Sequence, residues 1–225
     1  MSIPSKIHLV FLRKDETFPA LFGACEARIR AMHPSWEVKL WHGDSADRFL
    51  KTFLSDYLDA YRSFSFNVQR ADFLRLALVY VLGGFYMDLD MLAIQPLDNL
   101  TGRHIVLAEE KTIGEEEQRA LGLRYRTRIA NYMFGSEPGH PFLRMVMDGM
   151  AKRSHVQVAS QQEILDITGP GLLTDLYWDH ASHYADITLL RNGGRYYTMA
   201  DGHRESCLFG DYAVHLHSGT WRKEI

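Results

Sequence analysis

An α/β domain with a mostly parallel central sheet flanked by helices is the fold class this sequence predicts, on three observations. Short apolar runs that read as strands alternate along the chain with segments of helical spacing. Hydrophobic residues make up 46% of the chain and aromatics 12%, the composition of a folded domain rather than a disordered one. Neither an internal repeat nor a low-complexity linker interrupts the 225 residues, so one domain over 1–225 is expected. A chain of this length buries a sizeable core without staples.

Ile7 to Leu12 is an apolar run bounded by polar residues and reads as a buried strand. Phe18 to Met32 has helical spacing, and Pro34 closes it. Glu37 to Trp41 reads as a second strand, with His42-Gly43-Asp44 as its turn. Val68 to Leu82 is the clearest helix, with Phe73, Leu76, Ala77 and Tyr80 at i, i+3, i+4 and i+7. Gly83-Gly84 ends it, because glycine accepts the left-handed cap at little cost. Phe85 to Met91 alternates strictly and reads as one strand, which Pro96 stops. Ile105 to Ala108 is a further short strand. Glu109 to Arg128 is charged and low in apolar content, as an exposed loop or mobile flap would be. Met133 and Phe134 have strand character, Pro141 opens a helix over His140 to Met150, and Ala213 to Leu216 is a late strand.

Composition excludes several classes. The chain has 25 basic and 28 acidic residues, a net charge of −3, so no nucleic-acid footprint is expected. Cys25 and Cys207 are too few for a zinc cluster or a disulfide framework and fit a reducing compartment. Met1 to Lys6 lacks an apolar signal segment, and no stretch of 18 apolar residues occurs. The expectation is a cytoplasmic chain without a transmembrane segment, able to sit peripherally on a membrane.

The chemistry centres on Phe85-Tyr86-Met87-Asp88-Leu89-Asp90-Met91. Read as a strand of period two, Tyr86, Asp88 and Asp90 share one face. Adjacent same-face carboxylates repel unless something positive lies between them. A hard divalent cation would neutralise them and would also bind a diphosphate. An isolated Asp-X-Asp is common, and two solvated aspartates at a strand end fit the same pattern. The preceding helix adds Asp72 and Arg75, three apart and so on one face. They read either as an exposed ion pair, worth little to stability, or as charges that the Gly-Gly hinge brings beside Asp88 and Asp90.

Asn67-Val-Gln-Arg-Ala-Asp72-Phe-Leu-Arg75, then Tyr80, then Gly83-Gly84-Phe-Tyr86-Met-Asp88-Leu-Asp90, closely resembles the sugar-binding DXD region of glycosyltransferase family 32. That family includes fungal mannosyltransferases and bacterial capsule and lipooligosaccharide transferases, and the arrangement is similar to that of the glucosylating clostridial toxins. Ile3 to His8, Trp36 to Trp41, Asn131-Tyr-Met-Phe-Gly, Thr168-Gly169-Pro170-Gly171 and His215-Leu-His217-Ser218-Gly-Thr-Trp221 resemble further family segments.

The resemblance implies a GT-A-type nucleotide-diphospho-sugar transferase domain. It also implies Mn²⁺ or Mg²⁺ and a retaining transfer of a hexose to a glycan, glycolipid or glycoprotein hydroxyl, as in polysaccharide biosynthesis. The donor expected is a UDP-sugar ahead of GDP-mannose. Phe11 stands where many relatives carry a Trp that stacks on the nucleobase.

On that reading Asp88, Asp90 and His215 ligate the metal, with His217 the rival third ligand. Asp72 hydrogen-bonds sugar hydroxyls, Arg75 adds positive charge, and Asn131 orients donor or acceptor. Val10 and Phe11 face the base, Tyr86 and Leu89 complete the donor set, and Ser218 and Trp221 meet the diphosphate from a closing loop. Three alternatives stay open: a nucleotide-sugar hydrolase, a nucleotidyltransferase, and a non-catalytic nucleotide- or glycan-binding module. His180 and His183 lack a third ligand and read as a solvated helix face. Arg124, Arg126 and Arg128 read as a solvated loop edge or as contacts to an anionic acceptor, and Glu115-Glu116-Glu117 as solvated.

Overall fold

A computed structural model describes residues 2–13, 17–192, 197–198 and 205–224. In chain order the elements are β1 (Lys6–Val10), α1 (Ala20–Met32), β2 (Glu37–Trp41), α2 (Gly43–Phe53), α3 (Leu58–Ser63), α4 (Asn67–Leu82), β3 (Gly84–Met87) and β4 (Met91–Ala93). There follow β5 (Ile105–Thr112), α5 (Glu115–Ala120), β6 (Thr127–Ile129), β7 (Met133–Ser136), α6 (Pro141–Ala151), α7 (Gln161–Ile167) and α8 (Pro170–His180). The described chain ends with β8 (Ile187–Leu190), β9 (Tyr197–Thr198), β10 (Glu205–Phe209), β11 (Ala213–His215) and a short 3₁₀ turn.

The central sheet has seven strands in the order β2-β1-β3-β7-β5-β6, with β8 also on β5. Strands β1, β2, β3, β5 and β8 run one way; β6 and β7 are reversed. It is therefore a mostly parallel sheet with helices on its faces. A second, antiparallel sheet follows the order β4-β11-β10-β9.

The sheet sorts its core by strand alternation. On β1, Ile7 and Leu9 join a cluster with Phe85, Met87, Met91 and Phe209, which draws on both sheets. Val10, the next residue, joins the cluster on the other side with Trp41, Phe73, Phe134 and Phe142. Helix α4 lies in that second cluster. Phe73, Leu74, Leu76, Ala77, Leu78 and Val79 are all buried, so it is apolar nearly all round, as a helix enclosed in a core must be.

Two glycines make the turn from α4 into the sheet. Gly83 and Gly84 have φ of 64° and 97°, which side-chain-bearing residues rarely adopt. A Cβ on Gly84 would stand 2.7 Å from the Lys6 carbonyl oxygen, so glycine also lets β3 close against β1. His8 locks the corner: Nε2 lies 2.9 Å from the Gly83 carbonyl, and its Nδ1 accepts from Trp41 Nε1 at 3.3 Å.

Several sequence expectations are corrected. His42-Gly43-Asp44 is not a turn between strands but the start of α2, whose capping box joins His42 and Ser45. Glu109 to Arg128 is not a loop: β5 runs on to Thr112, α5 follows, and β6 returns antiparallel. Its charges misled because Glu109 is buried and satisfied by the Asn192 backbone N–H and by Thr112. Glu115-Glu116-Glu117 does lie exposed, in the first turn of α5.

Phe85 to Met91 is not one strand. β3 stops at Met87, the Asp88 N–H bonds to the Tyr132 carbonyl, and the Met91 N–H folds back onto the Asp88 carbonyl. The chain then leaves the large sheet for the small one.

Candidate active site

The paired carboxylates meet for a reason other than strand period. Asp88 sits at the end of β3, Asp90 in the turn that follows, and β4 pairs antiparallel with β11 in a register that sets His215 opposite Met91. His215 Nε2 therefore stands 3.1 Å from Asp90 Oδ1 and 3.8 Å from Asp88 Oδ2. One ligand atom from each of the three lies within 4.8 Å of the other two. Asp90 is bound further by the Ser218 N–H at 2.8 Å, and the Leu216 N–H donates to its backbone carbonyl at 3.0 Å.

The donor set suits a hard divalent cation: two carboxylates and one imidazole. His215 Nδ1 is buried with no hydrogen-bond partner among the described residues, and the ring stacks on Tyr132 at 4.5 Å. Burial on its own would drive His215 toward the neutral form, but Asp90, Asp88 and Glu110 outweigh it and raise its pKa. Burial would likewise raise Asp90; the His215 bond and charge, with the Ser218 N–H, hold it well below the usual carboxylate range instead. A bound cation would take over the role of the His215 proton. His217 lies beside His215, ring centroids 4.1 Å apart, but at φ 49° it has left the strand, so period two does not set its direction.

Asp72 and Arg75 are only 3% and 6% exposed, so of the two readings the exposed ion pair falls and the placing beside Asp88 stands. Arg75 Nη2 lies 2.9 Å from Asp72 Oδ1, and its Nη1 donates to the Asn131 carbonyl at 2.8 Å and stands 3.5 Å from Asp88 Oδ1. The guanidinium also lies over the Tyr86 ring, whose hydroxyl donates to Asp88. Asp72 accepts from Asn131 Nδ2 at 3.1 Å and from Thr168 Oγ1 at 3.0 Å. Burial pushes Asp72 up to about 7 against the pull of Arg75, and burial raises Asp88 as well. The cluster holds more negative charge than one arginine balances, as a site prepared for a further cation would.

Two cavities open beside this cluster. One, of about 160 Å³, is lined by Val10, Phe11, Leu89, Asp90, Ser218 and Trp221 among others. Phe11 packs edge-on against Phe18 at 5.1 Å, and Arg13 reaches across to donate to the Thr220 carbonyl at 2.8 Å. The other, of about 220 Å³, is lined by Glu110, Arg128, Asn131 and Tyr132, and shares Asp88, Arg75, His215 and Trp221 with the first.

Every residue given a metal, donor or catalytic role from the sequence thus lines one or both of these cavities. Thr168, Tyr132 and Glu110 were given no role there. The Thr168-Gly-Pro-Gly and Asn131-Tyr-Met-Phe-Gly segments were the visible signals for the first two; nothing local marked Glu110. His180 closes α8 and His183 the short 3₁₀ turn that follows it, their rings 5.9 Å apart, and they belong to no three-ligand group among the described residues. Arg124 and Arg126 are paired with Asp179 and Glu115, at 2.6 and 3.2 Å.

The fold is that of the GT-A type glycosyltransferase domains. Residues 21–107, with Asp88 and Asp90 inside them, match the family model of the glycosyltransferase sugar-binding region containing the DXD motif. Inositol phosphoceramide mannosyltransferase 1 of Schizosaccharomyces pombe is 27% identical over 176 residues, 76% of this chain and 50% of that protein. The chain spans about half the length of the curated relatives it matches. Among solved structures, the PaToxG glycosyltransferase aligns with a TM-score of 0.58 at 14% identity, covering 82% of this chain and 72% of that one. The UDP-bound glycosyltransferase domain of the YGT toxin aligns at 0.56 with 9% identity, covering 84% and 79%. Among the described residues, no helix is long and apolar enough to cross a membrane.

Proposed function

We propose that this chain, acting as one domain, transfers a hexose from a nucleotide-sugar to a hydroxyl of a glycan, glycolipid or glycoprotein, with Mn²⁺ or Mg²⁺ held by Asp88, Asp90 and His215. The observation that carries the reading is the convergence of those three side chains, within 4.8 Å, between two cavities. When bound, the cation supplies Lewis-acid stabilisation of charge on the departing diphosphate.

The chain's own residues do the rest. The Ser218 N–H and the His215 ring fix the Asp90 carboxylate, so its oxygens need little reorganisation. Arg75 is pinned by Asp72 and the Asn131 carbonyl, which sets a fixed positive charge beside Asp88. Asp72 and Asn131 border the second cavity and offer hydrogen bonds to sugar hydroxyls. Val10 and Phe11 offer an apolar wall to the base, and Trp221 covers the diphosphate. Retention, with a diphosphate oxygen taking the acceptor proton, is the stereochemical course proposed.

UDP-sugar is the first choice of donor, supported by the UDP-bound toxin domain of like fold. GDP-mannose is the second, supported by the mannosyltransferase names of the yeast relatives. Calorimetry with Mn²⁺ decides between them: tighter UDP is expected, and tighter GDP would reverse the order. Undiminished nucleotide affinity in chelator would overturn the metal site. Sugar release without transfer under every acceptor condition would favour a hydrolase.

A further inference from the structure

The second cavity contains a carboxylate that the reading above does not use. Glu110 lies in β5 at a break in register: Glu109 pairs with Ile129 and Lys111 with Arg128, leaving Glu110 as the extra residue of a β-bulge. Bulges beside active sites re-aim a side chain. Here two successive residues turn inward: Glu109 is buried against Asn192, and the Glu110 side chain, 16% exposed, faces the cavity shared with Asp88, Arg75 and His215.

Glu110 makes no hydrogen bond within the described residues. Arg128 Nε stands 3.7 Å away, too far for a hydrogen bond, and His215 and Lys111 act on it only through their charge. A largely buried carboxylate with its acceptor capacity unspent is costly unless a ligand completes it. Arg128, also on the cavity wall, presents donors beside it. A carboxylate acceptor next to a guanidinium donor matches a vicinal diol: one hydroxyl donates to Glu110 while its neighbour accepts from Arg128. Tyr132 and Trp221 give the same cavity the aromatic walls that suit the apolar face of a sugar ring.

We propose that Glu110 and Arg128 form the acceptor subsite and bind a vicinal diol of a sugar-type acceptor, with Glu110 orienting the attacking hydroxyl. The inference rests on the transferase reading. In the transfer, the acceptor oxygen forms the new bond to the sugar carbon C1. The bond from C1 to the diphosphate breaks, its electron pair leaving with the diphosphate, and the acceptor proton passes to a diphosphate oxygen. Glu110 emerges unchanged; its contribution is to aim the oxygen lone pair.

The test compares wild type, Glu110→Gln and Arg128→Gln with Mn²⁺, UDP-glucose or GDP-mannose, and methyl α-D-mannopyranoside as the diol probe. Nucleotide affinity is expected to stay within about twofold in both variants, while transfer to the glycoside falls about 10- to 100-fold, the value of a charged hydrogen bond. Wild-type transfer rates in Glu110→Gln would overturn the proposal. So would a matching loss of nucleotide affinity, which would put Glu110 in the donor site. Nucleotide binding without any transfer to the glycoside by wild type would overturn the diol class while leaving the donor reading intact. If wild type binds no nucleotide with Mn²⁺, the transferase reading falls and this subsite with it. Failure of Glu110→Gln to fold, while Arg128→Gln folds, would make Glu110 structural and also refute it.

Discussion

Asp72→Ala is expected to cost both stability and turnover, and the geometry sets the size of the first. The Asp72 side chain is 4% exposed and accepts from three donors: Arg75 at 2.9 Å, Asn131 at 3.1 Å and Thr168 at 3.0 Å. Truncation leaves the buried Arg75 with the Asn131 carbonyl and a longer contact to Asp88 at 3.5 Å. Breaking a buried pair from one side costs about 3–5 kcal/mol. For a chain of this length, each kcal/mol moves Tm by about 2–4 °C, so the melt should fall by about 6–20 °C. Asp72→Asn should cost less than half as much. It keeps an oxygen for Thr168 or Arg75 and escapes the desolvation that pushes the Asp72 carboxyl up to about 7. Both variants should lose roughly 100-fold or more in turnover, because the Arg75 charge beside the diphosphate loses its anchor. Circular-dichroism melts at pH 7.5, run beside a nucleotide-release assay, measure both effects. An Asp72→Ala protein melting within about 2 °C of wild type would refute the argument from burial. A destabilised variant with full turnover would leave the pair structural and detach it from catalysis.

Two further outcomes concern the corner that holds the cleft. Burial depresses His8 to about 4, so its folded pKa lies below the unfolded value of 6.5 and the unfolded chain binds more protons between them. Stability should therefore be full above pH 6.5 and fall toward pH 4 by about 3 kcal/mol. Urea melts of wild type and His8→Gln across that window check it, and parallel pH profiles would count against the His8 assignment. Gly84→Ala should destabilise by roughly 1–3 kcal/mol, since φ of 97° strains any side-chain-bearing residue and the new Cβ would meet the Lys6 carbonyl; a melt unchanged from wild type would show that the corner relaxes freely.

Much of the site was legible because it is local. From Asn67 to Asp90 the helical spacing, the double glycine and the acidic pair are consecutive, and covalent continuity brings Asp72 and Arg75 to Asp88 once the glycines turn the chain. The strand reading of Phe85 to Met91 had the inward face right, since Phe85, Met87, Leu89 and Met91 do share one core cluster. It missed the turn at Leu89-Asp90, because alternation of apolar residues persists across a turn when both flanks pack on the same layer. Burial of the Asp72–Arg75 pair was illegible for a related reason. A charged pair on a helix looks the same whether solvent or Thr168 and Asn131 stand opposite.

The sequence by itself therefore determined the α/β class, the α4–glycine–β3 unit and the identity of the acidic pair, because each rests on neighbours along the chain. Only the tertiary structure decided the placing of His215 beside Asp88 and Asp90 and the shape of the cleft. Ser218 reaches Asp90 across 128 positions, and His215 arrives through the register of β11 on β4. The bulge that turns Glu110 inward is likewise fixed by pairing with β6. Register between distant strands is set by backbone hydrogen bonds and shared core packing over the whole molecule, and no local period encodes it.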